Sequence, residues 1–178
     1  MTDELYQMIR DNCNTWRNYN DIFDSATSVL DIIEFYGKHA KVFQKYHGPG
    51  GWFDADMLVI GNNGLSYEQS KTQMAFWSLW SVPLFMSNDL RNIKPEMKEI
   101  LMNKVLILIN QDPKGKMGLR VDGLKTNNQE VWLKQMTHPD KENRLAYAII
   151  YFNLETIGVP KIVSYFNLIC FVRKKNTF

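Results

Sequence analysis

The sequence predicts an α/β fold in two parts, with strand–helix units up to about residue 115 and antiparallel strands after it. Three observations predict it. Short β-type segments alternate with helical periodicities from Asn14 to Leu101. Asp-containing polar clusters directly follow those segments, as loops at strand ends do. Beyond Asn110-Gln111-Asp112-Pro113 and Lys114-Gly115-Lys116 the alternation stops and β-type runs take over.

Taken in order, Asn14 to Tyr19 is short, aromatic and flanked by polar residues, which predicts a strand ending in a loop at Asn20-Asp21. A helix follows, because Val29, Ile32, Ile33 and Tyr36 fall at i, i+3, i+4 and i+7. Asp24 or Ser25 is placed to cap its start and Gly37 to end it. The loop Gly48-Pro49-Gly50-Gly51 leads into Trp52 to Asp56, then the apolar Met57-Leu58-Val59-Ile60 and the turn cluster Gly61-Asn62-Asn63-Gly64. Ser66 and Gln69 form a capping box for a second helix, with Leu65 in the staple position. The body of that helix, Gln73 to Trp80, is apolar on more than one face and is expected to be buried.

Pro83 to Ser87 reads as another buried strand, ending in Asn88-Asp89. Pro95 suits a first helical position, and Met97, Ile100 and Leu101 supply the apolar stripe of a third helix. After the boundary, Glu130 to Met136, Leu145 to Phe152 and Ile162 to Val172 read as strands. The turn-rich His138 to Asn143 joins the first two as a hairpin loop.

Composition narrows the functional classes. Of 178 residues 45% are hydrophobic and 13% aromatic, enough for a core and contrary to a disordered chain. Lys plus Arg number 21 against 19 Asp plus Glu, and a net +2 offers neither nucleic acid nor an anionic membrane an electrostatic hold. Ile162 to Val172, the longest apolar-rich stretch, is too short to span a bilayer. Met1 opens a polar, acidic stretch unlike a secretory signal. Cys13 and Cys170 are too few for a disulfide scaffold and read as two free, buried thiols. His39, His47 and His138 are scattered and no Cys-x-x-Cys occurs, so no metal site is expected.

The chemistry concentrates after the predicted strands. Arg17, Asn18 and Asp21 follow the first, Asp54 and Asp56 flank the second, and Ser87, Asn88 and Asp89 follow the third. In a β/α barrel such loops open on one face and build the active site. An acid-rich pocket bordered by Trp16, Trp52 and Met57 would suit a sugar, with aromatic walls for the ring, carboxylates for hydroxyls and a carboxyl pair for acid–base work. Structural readings stand beside this one. Asp24 and Asp89 suit turns or caps, Trp77 and Trp80 suit the core, and Trp16 and Trp52 fit core or pocket equally. Arg17 also fits a structural ion pair.

These runs resemble the α-galactosidase and α-N-acetylgalactosaminidase family, glycoside hydrolase family 27. The resemblance is carried by Cys13-Asn14-Thr15-Trp16-Arg17-Asn18-Tyr19-Asn20-Asp21-Ile22, by Gly48-Pro49-Gly50-Gly51-Trp52 with Asp54 and Asp56, by Met57-Leu58-Val59-Ile60-Gly61-Asn62, and by Pro83-Leu84-Phe85-Met86-Ser87-Asn88-Asp89-Leu90-Arg91. Ile109-Asn110-Gln111-Asp112-Pro113 is a further signature. The match runs in order from about residue 9 to 120 and extends through Val131-Trp132.

The resemblance implies a (β/α)8 TIM barrel followed by an antiparallel β domain. Residues 1–115 would form about the last three βα units of the barrel, and 116–178 part of a C-terminal β-sandwich. It implies a retaining glycoside hydrolase acting on terminal α-galactosyl or α-N-acetylgalactosaminyl groups of glycoconjugates. Asp21 would be the acid/base, Arg17 a ligand of sugar hydroxyls, and Asp56, Met57 and Trp52 the pocket lining. No cofactor or metal is implied; a homodimer is implied for a full-length parent, with a lysosomal or secreted location.

In this family the nucleophilic Asp, the loop separating galactose from N-acetylgalactosamine specificity, and the disulfide partner of Cys13 all lie upstream of the matching segment. The 178 residues alone are therefore expected not to turn substrate over. The alternative is a catalytically inactive product that serves as a sugar-binding or interaction module. Two departures also stand out. Phe53 and Ala55 occupy positions where the family has Asn and Pro, and Ala26 replaces an aromatic, which implies a looser pocket.

Overall fold

The computed structural model describes residues 2–124, 129–137 and 146–154. Helix α1 (Asp3–Asn12) was not anticipated, although Asp3 and Glu4 in its first turn and Arg10 in its last suit the helix dipole. Strand β1 (Thr15–Arg17) pairs in parallel with β2 (Trp52–Asp54), placing Trp16 beside Phe53 and Arg17 beside Asp54. The crossover between them is α2 (Ala26–Tyr46), capped by Ser25, whose hydroxyl accepts from the Ser28 amide.

Gly37 does not end α2. The apolar period continues through Ala40 and Phe43 to Tyr46. The glycine serves a close approach instead, since a Cβ there would lie 3.0 Å from both Arg120 Cζ and the Trp132 ring.

Helix α3 (Tyr67–Trp80) begins with both bonds of the capping box formed by Ser66 and Gln69, and its second half is buried on all sides, as its composition predicts. Helix α4 (Pro95–Leu101) starts at its proline and buries Met97 and Ile100. Helix α5 (Lys104–Asn110) is capped by Asn103, which accepts from the Val105 and Leu106 amides.

The predicted buried strand at Pro83 to Ser87 is reduced to one parallel bridge between Leu58 and Met86. Phe85 and Met86 are 50% and 45% exposed. Leu58 occupies one side of this segment, and no described strand covers the other.

The last part forms an antiparallel sheet of β3 (Leu119–Arg120), β4 (Gln129–Met136) and β5 (Ala146–Asn153), in that order. The predicted hairpin loop at His138 to Asn143, the strand at Ile162 to Val172, and Cys170 lie outside the described residues. One face of the sheet packs on α2 and α3. The Trp132 ring meets Phe76 and Trp80 at centroid distances of 5.0 and 6.0 Å, and Phe152 meets Phe76 at 5.0 Å. Two charged residues of β4 share that buried face. Lys134 donates to the carbonyls of Ser78 and Ile109 and to the Ser81 hydroxyl at the C-terminal ends of α3 and α5. Glu130 accepts from Arg120, which also pairs with Glu34 on α2, and from the Trp132 indole.

Candidate functional site

The register of β1 and β2 puts Arg17 and Asp54 side by side at the C-terminal ends of two parallel strands. The loops that follow carry Asp21 and Asp56. Arg17 joins the two: its guanidinium donates to Asp56 Oδ2 at 2.7 Å and, through the other terminal nitrogen, to Asp21 Oδ1. A planar fork of donors suits that bridging. The two carboxylates are held differently. The Asp21 side chain is 72% exposed, while that of Asp56 is 10% exposed.

Asp56 is fixed on every side. Oδ2 also accepts from the Ile22 amide at 2.8 Å, and Oδ1 accepts from the Met57 amide at 2.8 Å. Its backbone adopts φ 71°, in the left-handed region a non-glycine residue seldom visits. Its amide donates to Asp54 Oδ1 at 2.9 Å and its carbonyl accepts from the Trp77 indole at 2.7 Å. Burial raises the Asp54 carboxyl above the usual carboxylate range; the Asp56 amide opposes that rise, the Asp56 charge adds to it, and Arg17 opposes it.

Around this cluster, Tyr36 donates to Asn18 Oδ1 at 3.3 Å, and burial pushes the Tyr36 hydroxyl well above its ordinary pKa. Asp89 has the turn role expected of it, closing on Arg91, whereas Asp24 neither caps α2 nor closes a turn but accepts from the Gly64 amide, forty residues away.

Arg17, Asp21 and Asp56 are thus brought together, and Met57, next to Asp56, is partly exposed. The tryptophans are not. Trp16 and Phe53 are register partners and share the face that packs on the helices, with ring centroids 5.0 Å apart. Trp52 shares the other face with Asp54 but sits at the opposite end of the strand, with its ring by His47 and Gly115. The period of two decides this, since residues two apart share a face yet stand about 6.6 Å apart along it.

Phe53, one of the departures, packs into the core. Its ring is fully buried and meets Phe43, Trp16 and Tyr6 at 4.4, 5.0 and 5.6 Å. Cys13, expected to be buried, is a free and exposed thiol. Sequence reasoning missed Gln73 and Trp77 as supports of this loop. They read as core, and only their i, i+4 spacing hints at a common task.

Among the described residues, no group of three or more His, Cys, Asp or Glu side chains could hold a metal ion, and no helix is long and apolar enough to cross a membrane.

Comparison with known proteins gives this cluster a setting. Residues 1–112 match the family model described as Alpha galactosidase A. The chain is 45% identical over 152 residues to α-N-acetylgalactosaminidase of Gallus gallus, covering 85% of this chain and 36% of that protein. It is also 45% identical over 156 residues to α-galactosidase A of Homo sapiens, covering 88% and 34%. It therefore spans about a third of the length of the curated relatives it matches. Among solved structures, α-galactosidase I from Mortierella vinacea is similar with a TM-score of 0.71 at 26% identity, over 83% of this chain and 39% of that one. The sequence motifs, the strand-end cluster and these matches agree that the chain belongs to the α-galactosidase A family of glycoside hydrolases.

Proposed function

We propose that these residues supply the acid/base half of a retaining glycoside hydrolase site for terminal α-galactosyl or α-N-acetylgalactosaminyl groups of glycoconjugates. The observation that carries the reading is the Arg17 bridge between an exposed Asp21 and a buried Asp56 at the ends of two parallel strands. Asp21 is the acid/base: it protonates the leaving oxygen and later activates water. Its exposure leaves it accessible to a substrate. Arg17 binds sugar hydroxyls with the donors that its carboxylates leave over, and Asp56 and Met57 line the pocket. Trp52 enters the reading only as a support at the far end of the strand.

Residues 1–115 are the C-terminal part of a (β/α)8 barrel and 116–178 part of a β-sandwich domain; a full-length parent would be a lysosomal or secreted homodimer. Support comes from the parallel β1–α2–β2 unit, the antiparallel sheet that follows, and the relatives matched.

A retaining reaction needs a second, nucleophilic carboxylate. The family resemblance puts that carboxylate upstream of the matching segment, and Asp56 serves instead as a pocket-lining group held by Arg17 and the Ile22 and Met57 amides. The 178 residues alone would therefore bind a sugar without hydrolysing it, which is also what a sugar-binding module would do. The test is release of an aryl α-galactoside and of an aryl α-N-acetylgalactosaminide by the purified chain, with galactose titration alongside. Binding without release is the expected result. Turnover by the chain alone would overturn the division of labour, and absence of any binding would overturn the sugar site.

A further inference from the structure

Helix α3 reaches the site loop with two buried side chains one turn apart. The Trp77 indole donates to the Asp56 carbonyl at 2.7 Å. The Gln73 amide donates to the Met57 carbonyl at 3.0 Å and accepts from the Val59 amide at 3.1 Å. Neither side chain is exposed to solvent. Together they take up the backbone on both sides of Leu58, immediately after the residue held at φ 71°.

The bonds form a continuous chain. Trp77 holds the Asp56 carbonyl, Asp54 holds its amide, and the carboxylate so aimed accepts from Arg17 and from the amide of Ile22. Ile22 is the neighbour of Asp21, and Arg17 is its ion-pair partner. A rotation of the Asp56 backbone out of the left-handed region would swing its carboxylate off both donors.

Packing alone does not account for Trp77. Trp80 lies on the same helix, is equally buried, and stacks on Tyr36 at 4.5 Å, yet its indole nitrogen has no hydrogen-bond partner among the described residues. A buried indole N–H normally finds an acceptor, so Trp80 sits there for its ring. Trp77 contributes a ring and an aimed donor.

We propose that Trp77 and Gln73 are positioning residues. They hold Asp56 in its left-handed turn and thereby set Arg17 and the loop that carries Asp21. The proposal rests on the sugar-site reading above for its functional consequence, but the geometry can be tested without it.

The experiment measures amide hydrogen exchange at Ile22 and Met57, and galactose titration, on the 178-residue chain. The variants are Trp77→Phe, Trp80→Phe and Gln73→Met, each compared at the same interval below its own melting temperature. Trp77→Phe is expected to speed exchange at Ile22 by about tenfold, as loss of a hydrogen bond to a carboxylate would. Trp80→Phe should leave it within about twofold, because its ring carries no bond to the loop. Equal exchange at Ile22 in the two tryptophan variants would overturn the proposal. Should Trp77→Phe fail to fold, Gln73→Met reads the same amides, and unchanged exchange at Met57 and Ile22 there would also overturn it. Galactose affinity is expected to fall about tenfold in Trp77→Phe relative to Trp80→Phe. If the unmodified chain binds no galactose, the sugar reading fails, while the exchange at Ile22 still decides the positioning role.

Discussion

Two carboxylates share Arg17 yet are not equivalent. Asp56 is buried with every oxygen committed, so removing its cation leaves an uncompensated charge beneath the loop. Arg17→Met should lower stability by about 1–3 kcal/mol in urea denaturation. Asp21 pairs with Arg17 in the open, and screening by water and salt reduces such a pair to little. Asp21→Asn should stay within about 0.5 kcal/mol in the same assay. Phe53 makes a second contrast. The family has an amide here, but in this chain the ring fills the junction between β2, α1 and α2. Phe53→Asn should cost about 3–5 kcal/mol by calorimetry, since it empties an aromatic site and buries an amide. Retention of full stability would show that this junction repacks around the amide.

At the scale of elements, Gly37 shows how a residue acts against its own propensity. Alanine is the better helix former by about 1 kcal/mol. The added methyl would press on Arg120 and on a Trp132 ring locked against Phe76 and Trp80, so the neighbour cannot yield. Gly37→Ala is therefore expected to lower the melting temperature, and a rise would mean that the sheet can step away from α2. The same contact explains why Gly37 misleads as a stop signal: helix C-caps and close approaches both select glycine. Capping was far more legible. Ser66 with Gln69 and Pro95 sit where their chemistry predicts, because the groups they satisfy lie within one turn. Strand β4 was legible as a strand but not as to its inward face. Val131 and Leu133 alternate with Glu130, Trp132, Lys134 and Met136, and the set containing two charges is the one buried.

Two buried groups, His47 and Lys134, give the stability of the whole molecule a dependence on pH. His47 accepts from the Phe53 amide and is buried; burial first, and then the Lys134 charge, lower its pKa to about 3. Between about pH 3 and 6.5 the unfolded chain binds a proton that the folded chain refuses. Stability should fall as pH drops through that window, by up to about 1.4 kcal/mol per unit. Lys134, lowered to about 7 by burial with Asp112 opposing, acts the same way at higher pH: its contribution to stability rises between about pH 7 and 10.5. Urea midpoints across both windows check this. His47→Gln should flatten the lower slope and Lys134→Met the upper one, and unchanged slopes would show that neither group is buried as described.

The sequence by itself determined the α/β class, the starts of α2, α3 and α4, the strands β1, β4 and β5, and the family, since caps, periods and motifs are local and read along the chain; α1, β3 and α5 were not read from it. It also brought forward Arg17, Asp21 and Asp56 as site residues. Only the tertiary structure decided that these three form one hydrogen-bonded cluster, that Trp16 and Phe53 turn to the helices while Trp52 sits at the far end of its strand, and that α3 supports the loop. The physical reason is that strand register and helix packing join residues some forty positions apart, as Arg17 and Asp56 are. No local propensity records which face of a strand, or which indole of a buried helix, will meet a partner.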